Sequence, residues 1–382
     1  MYIGIDAHKR MCEVGAISQD KKVLFQEQCR TSKKGLNEFA MRIPKGAKVA
    51  VEASTSGKFV ARVLMEAGVD VTVGHPAEIR RRMGNTKKTD TLDCMFIAEM
   101  LRMDWLPKAY LPSKEDDELR GMLRHRLAMG KRSRTIKNQI HAMLQGQGIQ
   151  LPFADIFGKG GSEYLDRLPL PASSQFMLEQ LLEQLDLSVR QQRQIEDILA
   201  LRASGHEACK RLMTLPGVDY YSGLLILMEI GDVTRFPDAK HLCSYAGLVP
   251  RVSQSGDHMH RGGIHKQGPG ALRWIMVVCA HAAVKARNSR WHREYQRLSR
   301  RIGAKKAIVA IARKMLTVVF ALLVKNEDYV EKDPKMYQRK ILRMKWRARE
   351  IPVSDVSGRV DRLSPEALER LISEEDGYAV PR

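Results

Sequence analysis

The sequence predicts an α/β N-terminal domain, then a helical coiled-coil segment, then a mostly α C-terminal domain with a helix-hairpin-helix-like element. Three observations lead there. Short β-rich runs alternate with helical periods up to about residue 110, strands disappear beyond Pro112 in favour of two long heptad-like stretches, and Leu215-Pro216-Gly217-Val218 punctuates two apolar helices. The expected boundaries are 1–111 for the α/β domain, 112–205 for the helical or dimerisation segment, 206–326 for the C-terminal domain and 327–382 for a basic extension.

Each element follows from local pattern. Tyr2-Ile3-Gly4-Ile5, Glu13 to Ile17 and Lys22 to Gln28 read as three successive strands in a meander. Ser32 is a helix N-cap ahead of Leu36, Phe39 and Ile43. Lys48 to Glu52 is a strand, Lys58 to Ala67 a helix, Val69 to Val73 a strand and Asp93 to Met103 a helix, so the order is βββαβαβα and the sheet is mixed. Lys114 to Gly146 is one long helix in which Arg120 to His141 carries seven Lys or Arg and no acid. Such a run is a solvated face or a phosphate groove. Gly158, Gly160, Gly161, Pro169 and Pro171 mark a turn region. A second long helix follows with apolar residues at 178, 182, 185, 189, 195 and 199, giving an antiparallel hairpin, a dimer coiled coil or helices packed on the next domain. From Cys209 to Lys325 the pattern is compact and helical, and Lys335 to Arg349 adds seven basic residues and Trp346.

The balance of 64 Lys plus Arg against 44 Asp plus Glu leaves a formal charge of +20 over 382 residues, which favours a polyanionic partner. Six scattered cysteines without a C-x-x-C predict neither disulfides nor zinc. Met315 to Val324 is too short an apolar run for a membrane span, and Asp6 sits where a signal peptide needs apolar residues; a soluble, non-exported protein is expected.

Four carboxylates form the first site candidate. Asp6 ends the first strand, Glu52 ends the fourth, and Asp90 and Asp93 lie three apart at the opening of a helix, where i, i+3 residues share a face. If the first and fourth strands are neighbours, Asp6 and Glu52 emerge side by side. Hard oxygen donors of this kind suit Mg²⁺ and phosphodiester chemistry. Singly, Asp90 also reads as an N-cap and Glu52 as a loop charge. In the LPGV turn, Gly217 lets backbone N–H groups approach phosphate, or simply punctuates two helices. A third block runs through Tyr245-Ala246-Gly247-Leu248-Val249-Pro250, Ser255-Gly256 and Ile264-His265-Lys266-Gln267-Gly268 to Leu272-Arg273. Ser255 on a loop is accessible, with His258, His260, Arg261, Lys266 and Arg273 as sources of positive charge, yet residue chemistry alone makes it a turn residue and leaves Ser253 as a competing hydroxyl.

Taken together, GIDAHK, VEAS, KTDTLD, GLVP-x4-SG and I-x-K-x-G-x4-R resemble the DEDD-type insertion-sequence transposases, a family that includes bridge-RNA-guided recombinases and the pilin-gene invertase. The likeness spans about Tyr2 to Lys325; Cys94 and Pro269-Gly270 depart from its usual residues. It implies an RNase H-like, RuvC-like N-terminal domain and a C-terminal transposase domain. It also implies that Asp6, Glu52, Asp90 and Asp93 bind Mg²⁺ and that Ser255 attacks DNA to form a phosphoserine link. Acidic and serine sites from different protomers, a dimer or tetramer, donor and target double-stranded DNA, a non-coding guide RNA and a bacterial, cytoplasmic, nucleoid-associated location follow from the same resemblance. Lys9, Arg124, Lys131, Arg132, Gly217, Arg261, Lys266 and Arg273 are the expected nucleic-acid contacts, and the basic extension a further one. The rival expectation is a RuvC-like junction resolvase that hydrolyses DNA without a serine nucleophile; a third is a basic coiled-coil packaging protein.

Overall fold

A computed structural model describes residues 1–84, 90–152, 155–255, 258–265, 267–287 and 289–349; side chains at 90–91, 159, 252–255, 258–261 and 349 lie outside the description. The chain divides into two compact units, Met1–Ser113 and Lys114–Arg382.

The first unit is a five-stranded mixed sheet. Strands β1 (Tyr2–Ala7), β2 (Met11–Ile17) and β3 (Val23–Arg30) form the antiparallel meander, while β4 (Lys48–Glu52) and β5 (Asp70–Gly74) add in parallel to β1, giving the order β3-β2-β1-β4-β5. Side chains alternate between faces. Ile3, Ile5, Val49 and Val51 point to one face, where α1 (Lys33–Arg42) and α2 (Thr55–Glu66) bury Leu36, Phe39, Val60 and Leu64. Ser32 caps α1 by accepting from the Gly35 N–H at 3.2 Å, and Ser54 caps α2 by accepting from Gly57 at 2.9 Å. The opposite face carries Tyr2 and Ala50 against Ile79 of α3 (Pro76–Met83) and Ile97, Met100 and Leu101 of α4 (Asp90–Arg102).

Helix α4 lies almost on the backbone of the sheet. Gly4 and Gly15 are register partners on β1 and β2. A Cβ at Gly4 would stand 1.9 Å from the Cys94 carbonyl oxygen and 2.5 Å from the Ala98 nitrogen. The absent side chain is what lets the first turns of α4 cross β1.

In the second unit, α5 (Lys114–Gly146) and α7 (Ala172–Ser204) run antiparallel as a hairpin: Arg126 meets Glu196, Ser133 meets Ser188 and Gln147 meets Ser174. A small core of Ile136, Ile140, Leu144, Leu165 and Leu178 closes its far end with α6 (Lys159–Asp166). Helices α8 (Glu207–Met213), α9 (Tyr220–Ile230) and α10 (Ala239–Tyr245) follow, then strands β6 (Pro250–Ser255) and β7 (His258–Ile264), and helices α11 (Gly270–Ala283), α12 (Arg290–Ile302), α13 (Ala304–Lys325) and α14 (Pro334–Arg349). Every residue of α9 is buried, and an Asp219–Ser222 capping box starts it.

Two expectations change, and the apolar run of α13 proves longer than expected. Strands do not disappear beyond Pro112, because β6 and β7 pair as an antiparallel hairpin. By length and composition α13 passes for a membrane span, at 22 residues; here Ile311, Met315, Leu316 and Val319 are buried in the core of the second unit. The basic extension is not a separate segment up to Arg349: α14 packs on α7 and α8, buries Met344 fully and directs the Lys340 amine onto the carbonyls of Met213 and Leu215 at 2.8 and 2.9 Å.

Candidate active site and nucleic-acid contacts

The β1–β4 register pairs Ile5 with Val51, so Asp6 and Glu52 are the next residues on adjacent parallel strands. Strand alternation puts them on the face of Gly4 and Ala50, the one α4 covers. Asp90 and Asp93 both fall in the first turn of α4. The Asp93 side chain is buried, and its Oδ1 has no hydrogen-bond partner among the described residues. An acidic oxygen buried without a donor is costly unless a cation or a proton meets it. Asp6 is half-buried and has His8 Nε2 3.3 Å from its Oδ2. The Asp90 side chain lies outside the described residues.

One carboxylate was missed. Glu13 is the cross-strand partner of Asp6 and shares the face of Gly15, with Gln28 donating to its Oε1. Its place on this face follows from the β1–β2 register, which the spacing of the residues alone does not give. The field of this acidic face is felt at Cys94, whose thiol is pushed up to about 11, first by burial and then by Glu13 and Asp6. Among the described residues no three acidic, His or Cys side chains close around one point. The donor set is nonetheless all hard oxygen, and the unpartnered Asp93 oxygen fits a divalent cation.

Ser255 is the last residue of β6, not a loop residue, and its register partner is His258. Its side chain, like those of Ser253, His260 and Arg261, lies outside the description, as do Gly256 and Lys266 altogether. The feet of this hairpin are firmly built. Gly247 (φ +68°) and Gly268 (φ +87°) let the backbone of His265, Gln267 and Gly268 lie close against the end of α10, where a Cβ at Gly268 would stand 1.8 Å from the Tyr245 oxygen. His265 N–H donates to the Val249 carbonyl, and Arg273 Nη1 donates to the Ala246 carbonyl at 3.2 Å. The spacing of GLVP and I-x-K-x-G thus records how two loops clamp one hairpin.

The basic residues divide by location. Lys9, Lys131 and Arg132 are exposed. Arg124, expected at phosphate, instead grips Glu229 with two bonds of 2.7 and 2.8 Å, and Glu229 is only 1% exposed. Arg120 pairs with Asp117, and Arg126 pairs with Glu196 and lies 4.2 Å from the Tyr221 ring. The half of α5 nearest the core therefore uses its guanidiniums internally, and the far half presents them. Gly217 is also a packing residue: φ is +82°, and a Cβ there would stand 2.3 Å from the Cys279 oxygen of α11. Arg273, as above, holds loop carbonyls.

Residues 3–148 match a transposase family model of the DEDD, IS110 type, and residues 209–296 match the model described as "Transposase IS116/IS110/IS902 family". The chain is 24% identical over 339 residues to the transposase for insertion sequence element IS1111A of Coxiella burnetii, covering 86% of this chain and 90% of that protein. It is 25% identical to the transposase for insertion sequence element IS1328 of Yersinia enterocolitica, over 73% of this chain and 82% of that one. The pilin gene-inverting protein of Moraxella bovis is 35% identical over 120 residues, 31% of this chain and 37% of its own.

Proposed function

We propose, from the premise that this chain belongs to the IS116/IS110/IS902 transposase family and is a DNA transposase, that it cuts and rejoins strands through a phosphoserine link at Ser255, with Mg²⁺ held by Asp6, Glu52, Asp90 and Asp93. The observation that carries the metal half of this reading is the buried Asp93 Oδ1 with no partner among the described residues, on the face where Asp6 and Glu52 emerge from adjacent strands. The strand order β3-β2-β1-β4-β5 supports an RNase H-like first unit, and the antiparallel α5–α7 pair supports a coiled-coil reading of the hairpin.

Bound Mg²⁺ would supply charge neutralisation at a phosphoryl oxygen. Asp6 and Glu52 offer oxygens from rigid strand ends, and Asp93 offers one from a helix that Gly4 seats on the sheet. In the covalent step the Ser255 Oγ–P bond forms as one bridging P–O bond of the strand breaks. The hydroxyl proton passes to the departing oxygen through solvent. Attack by a second strand's hydroxyl reverses the step, frees Ser255 and restores a phosphodiester, so bond energy is kept without ATP. The proposal includes a homo-oligomer and a non-coding guide RNA, for which a structured non-coding segment flanking the gene is the first support to seek.

A second reading is favoured by the family's name, which refers to the carboxylates alone: water attacks, and the strand is hydrolysed. One experiment separates the two. Protein incubated with flanking DNA and Mg²⁺, then denatured, gives a covalent adduct that Ser255→Ala abolishes and Ser253→Ala retains. Cleavage surviving Ser255→Ala overturns the serine step and leaves the hydrolytic one.

A further inference from the structure

Helix α12 is the most one-sided helix of the second unit. Trp291 and Leu298 are buried on one side, and Arg290, Arg293, Arg300 and Arg301 are exposed on the other. Across Gly303, Lys305 and Lys306 of α13 extend the same charge. The sole acid between 285 and 314 is Glu294, and it is already engaged: Arg297 holds it at 3.0 and 2.7 Å, Lys314 joins them, and the carboxyl is held down to about 2 by those hydrogen bonds. The other six cations have no carboxylate partner among the described residues. The helix is also rigidly mounted. Ser289 caps it by accepting from the His292 N–H at 3.1 Å, His292 Nδ1 lies 2.7 Å from the Val284 carbonyl oxygen, and Trp291 stacks on Tyr329. Burial of Trp291 and Leu298 stabilises the helix, but crowding like charge on its other face gives no folding benefit, since like charges on one helix repel.

We infer that the outward face of α12 and the first turn of α13 dock the backbone of double-stranded DNA. The inference rests on the DNA-transposase reading and assigns a binding surface to it. Guanidiniums predominate, and their forked donors match phosphate. A convex helix face enters the major groove of B-form DNA, which is about 12 Å wide, whereas the deep, narrow major groove of duplex RNA excludes it. The 13 residues of α12 span roughly 20 Å, enough to follow that groove across several phosphates.

The test is the salt dependence of binding by the full chain, measured by anisotropy with a labelled DNA duplex and with an RNA duplex of the same sequence. Arg293→Ala/Arg300→Ala/Arg301→Ala removes three exposed cations and is expected to make the slope of log K against log salt shallower by about 2.7, at about 0.9 per phosphate contact. Between 50 and 200 mM salt that is a difference of about 40-fold in the loss of affinity. Lys34→Ala/Lys45→Ala, which removes exposed charge from the first unit, leaves the slope unchanged. A wild-type protein that binds duplex DNA with a slope the triple variant shares overturns the inference alone, and so does an equal change on duplex RNA. A wild-type protein with no affinity for duplex DNA sinks the transposase reading itself.

Discussion

Replacing Gly4 by alanine tests whether the seating of α4 on the sheet sets the chemistry. The new Cβ would stand 1.9 Å from the Cys94 carbonyl oxygen, and contacts under 3.0 Å are essentially never made, so the helix must retreat by at least 1.1 Å. Both obstructing atoms are backbone, so no rotamer relieves the clash. Overpacking of this kind costs about 1–3 kcal/mol, readable as a lowered urea midpoint. Asp93 adjoins Cys94 and moves with it, and a misplacement of about 1 Å lowers catalysis by about 100-fold. Gly15→Ala is the matched control: the atoms nearest its Cβ are side-chain atoms of Met95 and Cys94, at 2.4 Å and 3.1 Å, and a thioether can swing aside. DNA cleavage by both variants, assayed at a temperature where circular dichroism shows them folded, should fall for Gly4→Ala and persist for Gly15→Ala. A folded Gly4→Ala protein that cleaves at the wild-type rate refutes the argument.

Mg²⁺ at about 100 times its dissociation constant should stabilise the wild-type fold by about 2.7 kcal/mol, and Asp93→Asn should remove most of that gain in thermal melts. Arg124→Ala should destabilise by about 2–3 kcal/mol in urea, less than for a fully buried pair because half of the Arg124 side chain meets water, while leaving the salt slope of DNA binding intact. Burial pulls the Lys340 amine down to about 8 from an ordinary 10.5. Between those pH values the unfolded chain holds a proton that the fold has released, so stability rises with pH across that window, and Lys340→Met should show a flatter rise in chemical denaturation.

The sheet was legible because its strands alternate and its turns are punctuated; β4 and the extent of α5 coincide with the expectation to the residue, and the Ser32 cap is where the pattern put it. Helix α3 escaped notice because three consecutive arginines mask its period, although Pro76 at its first turn was a start signal. The β6–β7 hairpin escaped because its sequence is polar, with Gly262 and Gly263 in β7, so no apolar alternation marks it. Asp6 and Glu52 were placed together correctly from strand order. Glu13 was overlooked because membership of a face depends on register, which spacing alone does not reveal. Arg124 was assigned to phosphate because a buried acid 105 residues away leaves no trace in a local charge run.

The docking of α14 has a consequence for the gene. Codons 334–349 encode a piece of core, with Met344 sealed inside and Lys340 closing the carbonyls that flank the α8–α9 turn. A stop codon between codons 326 and 334 would strip α7 and α8 of their cover while sparing Asp6, Glu52, Asp90, Asp93, Ser253 and Ser255. Copies shortened at the 3′ end should therefore accumulate as inert remnants, and any minimal version built for expression has to run through at least Arg349.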